Sequence, residues 1–172
     1  MSFIVDVQGF QYKDSDFICK ELTLLPVESC SSEIHIFFKF CIKFEHLEKS
    51  LQRQANYLTS HVHGLIWEKN KNDEEEYTNL SSLLLQSGIH KKSQIIVKGL
   101  QKKRWLEKIL PDFSIMNVED IGCPSLFSLK KENKYHCGKH INNNLSCAYQ
   151  NAHLIRDWLV LSYKTTHTNL FN

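Results

Sequence analysis

The sequence predicts an α/β fold, with a mixed five-stranded sheet that starts as three antiparallel strands and carries helices on its flanks. Three observations predict it. Short runs of alternating apolar residues fill the chain as far as Phe40, apolar residues at helical spacing take over from Phe44, and the two patterns then interleave to the end.

Phe3–Gln8 alternates and reads as a strand ended by Gly9. Phe17–Leu25 is a second strand and Glu33–Phe40 a third, with the Pro26–Ser32 loop between them. Strands joined this closely form an antiparallel meander. From Phe44 to Ser60 the pattern turns helical, with Leu47, Leu51, Ala55 and Leu58 on one face. The chain leaves that helix through Gly64, crosses a polar loop at Lys69–Glu76 and enters a helix over Tyr77–Gln86, closed by Ser87-Gly88. Gln94–Lys98 reads as a buried strand, and Gly99 opens a helix over Gln101–Leu110 that Pro111 stops. Phe113–Val118 is the fifth strand, and Pro124 lies near the first turn of a short helix. A polar stretch through the 130s and 140s, with Asn142 to Asn144 in it, precedes a final helix over Cys147–Tyr163. The expected division is one domain over 1–163 and a polar tail over 164–172.

Composition suits a globular chain. At 172 residues, 42% apolar and 23% charged, one domain can bury a core without disulfide staples. Aliphatic runs such as Leu83–Leu85 and Ile95–Val97 are far too short to span a bilayer, so no membrane association is expected. The N-terminus, MSFIVDVQGF, has no basic leader region, and six cysteines without a secretory signal read as reduced thiols or metal ligands. The expected setting is intracellular, cytoplasmic, with the nucleus as a second candidate compartment.

Net charge is only +2, but it is segregated. Lys91, Lys92, Lys98, Lys102, Lys103, Arg104 and Lys108 face the single acid Glu107 in their stretch, Lys130, Lys131, Lys134 and Lys139 follow, and acids gather at Asp73–Glu76. Lys98, Lys102, Lys103, Arg104 and Lys139 are the candidate nucleic-acid contacts, with a helix start after Gly99 that a phosphate could use. A solvated helix end explains the same charges, and Trp105 suits packing onto the sheet better than stacking on a base.

Tyr135 to Trp158 carries the strongest chemical signal. Cys137, His140 and Cys147 stand at C-x2-H-x6-C spacing, an incomplete tetrahedral metal cage that needs a fourth ligand from elsewhere. His61 and His63, a pair without acids or thiols nearby, read as helix-end or surface residues.

Three meander strands followed by helix, strand, helix, strand and helix is the order of an RNase H-like fold. Asp6 and Gln8 would share one face of the first strand, resembling the D-x-E pair that opens a DEDDh exonuclease site. Ser146 to Ala152 is similar to the closing H-x-A-x-x-D-A pattern, with Ser146 in place of the general base and Asn151 in place of the metal-binding Asp. Two divalent ions about 3.5–4 Å apart need several carboxylates, and Gln8 and Asn151 remove two of them, so ordinary two-metal exonuclease activity is not expected. Asp6, Gln8, Ser146 and Asn151 are then relic positions. A strand-end Asp capping a turn with Gly9 is the alternative for Asp6.

On these residues the chain resembles the Maelstrom domain, a divergent branch of the RNase H-like DEDDh lineage. That resemblance implies a Glu-Cys-His-Cys zinc site in place of the exonuclease carboxylates. Cys137, His140 and Cys147 supply the Cys-His-Cys part, and Glu21, in Cys19-Lys20-Glu21-Leu22, matches the Glu; Cys123, His136, His153 and Glu119 are the other candidates. The motifs at Asp6–Phe10, Lys20–Leu22, Lys98–Lys102, Gly122–Leu126 and Cys147-Ala148 are also similar to a group of short RNase H-like proteins, a side branch of this family. The resemblance implies a structural Zn²⁺, binding to RNA (single strands more than duplexes), and a place in small-RNA or transposon silencing with protein partners of that pathway. It also leaves room for weak RNase activity by a route other than the two-metal one. The rival functions are a protein-interaction scaffold built on the inactive fold and an active two-metal exonuclease using Asp6 with Glu119, Asp120 or Asp157.

Overall fold

The computed structural model describes residues 1–13, 16–28, 33–68, 75–76, 79–130, 135–142 and 144–168, as backbone only at 75–76 and 164–168. The long strands β1 (Ser2–Gln11) and β2 (Phe17–Pro26) pair antiparallel, and β3 (Ile34–Lys39) pairs antiparallel with β2, completing the expected meander. The strands β5 (Gln94–Val97) and β6 (Ser114–Asn117) then add in parallel on the other side of β1. The result is a mixed sheet of five main strands flanked by helices.

A sixth, two-residue strand, β4 (Glu75–Glu76), extends the expected sheet, giving the order β4-β3-β2-β1-β5-β6. It pairs in parallel with β3, on residues that read as polar loop because two backbone pairings leave no periodicity in the sequence. The acids Asp73 and Glu74, and the lysines Lys131 and Lys134, lie outside the described residues.

Helices cover both faces. Leu80 and Leu84 of α2 (Leu80–Gln86) and Leu106 of α3 (Leu100–Ile109) pack on Phe3, Val5, Val7, Leu22 and Leu24. Ile155 and Leu159 of α5 (Ala148–Thr168) pack on Ile4, Leu25 and Ile96 of the opposite face, with α4 (Leu126–Leu129) alongside. This is the alternation expected of successive strand residues. A third cluster of Phe10, Phe37, Ala55, Leu65 and Trp67 lies under α1 (Lys49–His61). Among the described residues no helix is long and apolar enough to cross a membrane.

Several boundaries move for identifiable reasons. Gly9 does not end β1, because the strand passes through a bulge between Gln8 and Gly9 and continues to Gln11. A Cβ at Gly9 would lie 2.0 Å from the Ile18 carbonyl oxygen, so the glycine admits the close approach of β2. Phe44–His46 forms a separate 3₁₀ turn before α1. Asn79 caps α2, which starts at Leu80, by accepting the Ser81 N–H, and Tyr77 of the expected helix lies outside the described residues. Ser125 caps α4 by accepting the Ser128 N–H, which leaves Pro124 outside the helix. Finally, α5 runs to Thr168, past the expected boundary at 163.

Candidate metal centre

The carboxylate of Glu21, on the central strand β2, is fully buried beneath the start of α5. Its Oε2 accepts the Ala148 N–H at 2.9 Å, satisfying one of the first, unpaired donors of that helix. Its Oε1 lies 2.9 Å from His35 Nε2, 3.3 Å from His140 Nε2 and 3.4 Å from Cys147 Sγ. Cys137 Sγ is 3.5 Å from Cys147 Sγ. The donor atoms of Glu21, Cys137, His140 and Cys147 all lie within 4.8 Å of one another, and the four could hold one metal ion.

The loop bearing Cys137 and His140 is anchored to the segment after α1. Ile141 N–H donates to the Gly64 carbonyl at 3.0 Å, Ser146 N–H donates to the Val62 carbonyl at 2.8 Å, and His140 Nδ1 bonds the His63 carbonyl. With Nδ1–H committed to a backbone carbonyl, Nε2 is the ring nitrogen turned toward Glu21, the usual arrangement of a metal-binding histidine. Gly64 has φ +68°, and a Cβ there would come within 3.2 Å of His140 Cβ. His63, read as a helix-end or surface residue, is instead buried. Its Nε2–H donates to the Gly9 carbonyl at 2.9 Å while Nδ1 accepts the Leu65 N–H, so one ring ties the β1 bulge to this loop. Burial holds its pKa down at about 4.

Electrostatics follow the geometry. Burial alone would raise the Glu21 pKa, but hydrogen bonds from His140 and His35, the His140 charge and the Ala148 N–H bring it down to about 2. Desolvation disfavours the charged His140, yet bonds to Cys137 and Glu21 lift it to about 10. The shared contact with Cys147 and the nearby His140 lower the Cys137 pKa, while that same contact, burial and the Glu21 charge raise Cys147. These shifts favour a proton on His140 beside Glu21 and Cys137, and binding a metal ion would displace that proton and the one on Cys147.

The other candidates for the fourth ligand lie elsewhere. Cys123 is buried in the core beneath α5, Glu119 receives Lys98, and His136 is exposed. His153 stacks on Tyr135 at 4.5 Å and approaches Glu33 Oε2 at 3.2 Å, without hydrogen-bond geometry. His35 was missed as a neighbour of Glu21. Its place on β3, opposite Thr23, follows from strand register, which the sequence does not display.

Beside this cluster sit Asp6, Gln8, Ser146 and Asn151. Gln8 is the cross-strand partner of Glu21. Asp6 is buried in mid-strand, not capping a turn, and accepts Lys102 Nζ at 2.5 Å and Asn151 Nδ2 at 2.9 Å. Asn151 Nδ2 also donates to Ser146 Oγ at 3.1 Å, and Gln8 Nε2 donates to the same oxygen at 2.8 Å. Asp6, Gln8, Ser146 and Asn151 therefore converge, with a lysine ammonium against the one remaining carboxylate. Burial raises the Asp6 pKa, and Lys102 and Asn151 only partly draw it back. Glu119, Asp120 and Asp157 are engaged by Lys98, Lys103 and Tyr135, and none is bonded to this group.

The candidate nucleic-acid residues separate. Lys98 is buried, donating to Glu119 and the Cys123 carbonyl, and Lys102 is committed to Asp6, so neither presents a free ammonium to a phosphate. Gly99 N–H donates to Asn117 Oδ1, occupying one of the donors at the α3 start. Arg104 is exposed, and Lys103 and Lys139 are partly so. Trp105 packs edge-on against Phe17 at 5.0 Å, as expected of a core residue. A groove of about 570 Å³ between α1 and α3 is lined by Gln8, Gln11, Gln54, Gln101, Arg104 and Lys108. No family model matches the chain and no curated protein matches it, so the reading of these two adjoining sites rests on their geometry.

Proposed function

We propose that this chain is a zinc-stabilised, catalytically degenerate RNase H-like domain of the Maelstrom type that binds RNA. The observation that carries the reading is a soft four-ligand cluster on the same sheet face as a spent carboxylate site. Ideal Zn²⁺ bond lengths give tetrahedral edges of about 3.8 Å for S–S, 3.5 Å for S–O and 3.3 Å for N–O. Three of the six donor pairs lie at 3.5, 3.4 and 3.3 Å, within a few tenths of an ångström of those edges, and all six lie within 4.8 Å. Four protein ligands leave no open position for a reactive water, and the ion's role is structural: it joins β2, the Cys137–His140 loop and the start of α5.

The strand order and the meeting of Asp6 with Asn151 support the RNase H-like reading. At Asp6, Lys102 supplies the positive charge that a catalytic ion would otherwise bring, and neither Gln8 nor Asn151 adds a carboxylate. The amide-lined groove beside this site, with Arg104 on its wall beside the Lys108–Asp16 ion pair, suits the backbone and base edges of single-stranded RNA. A small-RNA or transposon-silencing context follows from the family resemblance alone.

Gel shifts on single-stranded and duplex RNA across a salt series test the binding. The expected outcome is a single-strand preference that weakens as salt rises and falls further in Arg104→Glu. Absence of binding at low salt overturns it. The scaffold reading draws on Phe127, which is 90% exposed on α4, with Ile121 53% exposed in the preceding turn. A stable partner that resists RNase and is lost in Phe127→Ser would favour it.

A further inference from the structure

We infer that Cys137 and Cys147 form a peroxide-sensitive dithiol whose oxidation to a disulfide empties the metal centre. This rests on the zinc reading and extends it to a modification site.

Two features carry it. The two sulfurs lie 3.5 Å apart, so a bond of about 2.0 Å needs them to close by only roughly 1.5 Å. Cys137 is partly exposed on its loop, where an oxidant can reach it, whereas Cys147 is buried against the α5 start.

The chemistry balances with hydrogen peroxide as oxidant. The Cys137 thiolate attacks one peroxide oxygen, the O–O bond breaks, a hydroxide leaves, and Cys137 becomes a sulfenic acid. The Cys147 thiolate then attacks that sulfur and expels the second hydroxide as the S–S bond forms. The two sulfurs give up two electrons, the peroxide takes them, and solvent protons convert both hydroxides to water. Thiolates bind zinc and disulfides do not, so Glu21 and His140 are left as the only two ligands.

The test uses the full chain loaded with zinc and titrated with hydrogen peroxide. A colorimetric chelator reads the released metal, and peptide mass mapping reads the cysteines. The expected result is release of one zinc per chain together with a Cys137–Cys147 cross-link, both reversed by dithiothreitol and added zinc. A chain that binds zinc but keeps it while other cysteines oxidise overturns the switch and leaves the metal centre standing. Zinc release with only sulfinic or sulfonic acids also overturns it. A chain that carries no metal before peroxide is added, and takes up none, overturns the metal centre and this inference together. Cys41→Ser, which removes an exposed thiol, should leave release unchanged, and loss of release in that variant counts against the switch.

Discussion

Asp6 and Glu21 are both fully buried carboxylates on adjacent strands beneath the same helix, yet they meet opposite partners. Around Glu21 stand two imidazoles and two cysteine sulfurs, and His140, Cys137 and Cys147 together with Glu21 could hold a metal ion. Around Asp6 stand an ammonium and an amide. Lysine is a cation that cannot leave. The comparison shows that burial of an acid does not decide what compensates it; the side chains brought within about 3 Å do.

The largest effect should come from removing the zinc ion proposed at Glu21. With free zinc at about a thousand times its Kd, loss of binding removes about 4 kcal/mol, or roughly 8–16 °C in Tm for a chain of this size. Calorimetry with and without a chelator measures this, and an unchanged Tm would remove the contrast between the two sites.

Next is the fixed cation. Lys102 is 24% exposed at its side chain while Asp6 is 1% exposed, so Lys102→Met leaves a buried acid without its counter-charge. The expected loss is about 3 kcal/mol, whereas Asp6→Asn/Lys102→Met should return to within about 1 kcal/mol of the parent in denaturant melts. The sign agrees with the titration. The folded pKa of Asp6 lies above 3.8, so its proton contributes stability that is full below pH 3.8 and lost as pH rises. At neutral pH the ionised acid is a net burden that Lys102 limits. Equal losses in the single and double variants would show that the pair is not coupled.

A smaller effect sharpens the Glu21 side. His35 Nε2 bonds the same oxygen that faces the metal ligands, so it positions that carboxylate. His35→Ala should weaken zinc binding about tenfold, measured by chelator competition, and His35→Gln should recover most of it. Affinity that does not move in either variant would assign His35 a packing role only, against Phe37 and Tyr149.

The parts legible in the sequence were those encoded by short-range spacing. The meander, the later alternation of helix and strand, and the Cys137-His140-Cys147 triplet all follow from local pattern, and the family resemblance supplied Glu21. What escaped was decided by distant approach. Nothing near Lys102 in the chain indicates that its ammonium ends at Asp6, because the contact depends on how α3 crosses the sheet. Gly9 looked like a terminator, although it is a close-contact residue inside a strand. His63 had no visible partner because its ring bonds a carbonyl far back in the chain. Two paired residues at the sheet edge were too few to leave a trace.

Ser146, which bridges Gln8 and Asn151, and Cys147, which faces Glu21, are joined by a single peptide bond. The two pockets therefore share one stretch of main chain, and neither can be re-spaced without dragging the other. Altering what each holds by exchanging side chains, with the path of the backbone untouched, is the route left open to a designer who wants to return acids to one pocket while keeping the thiolates in the other.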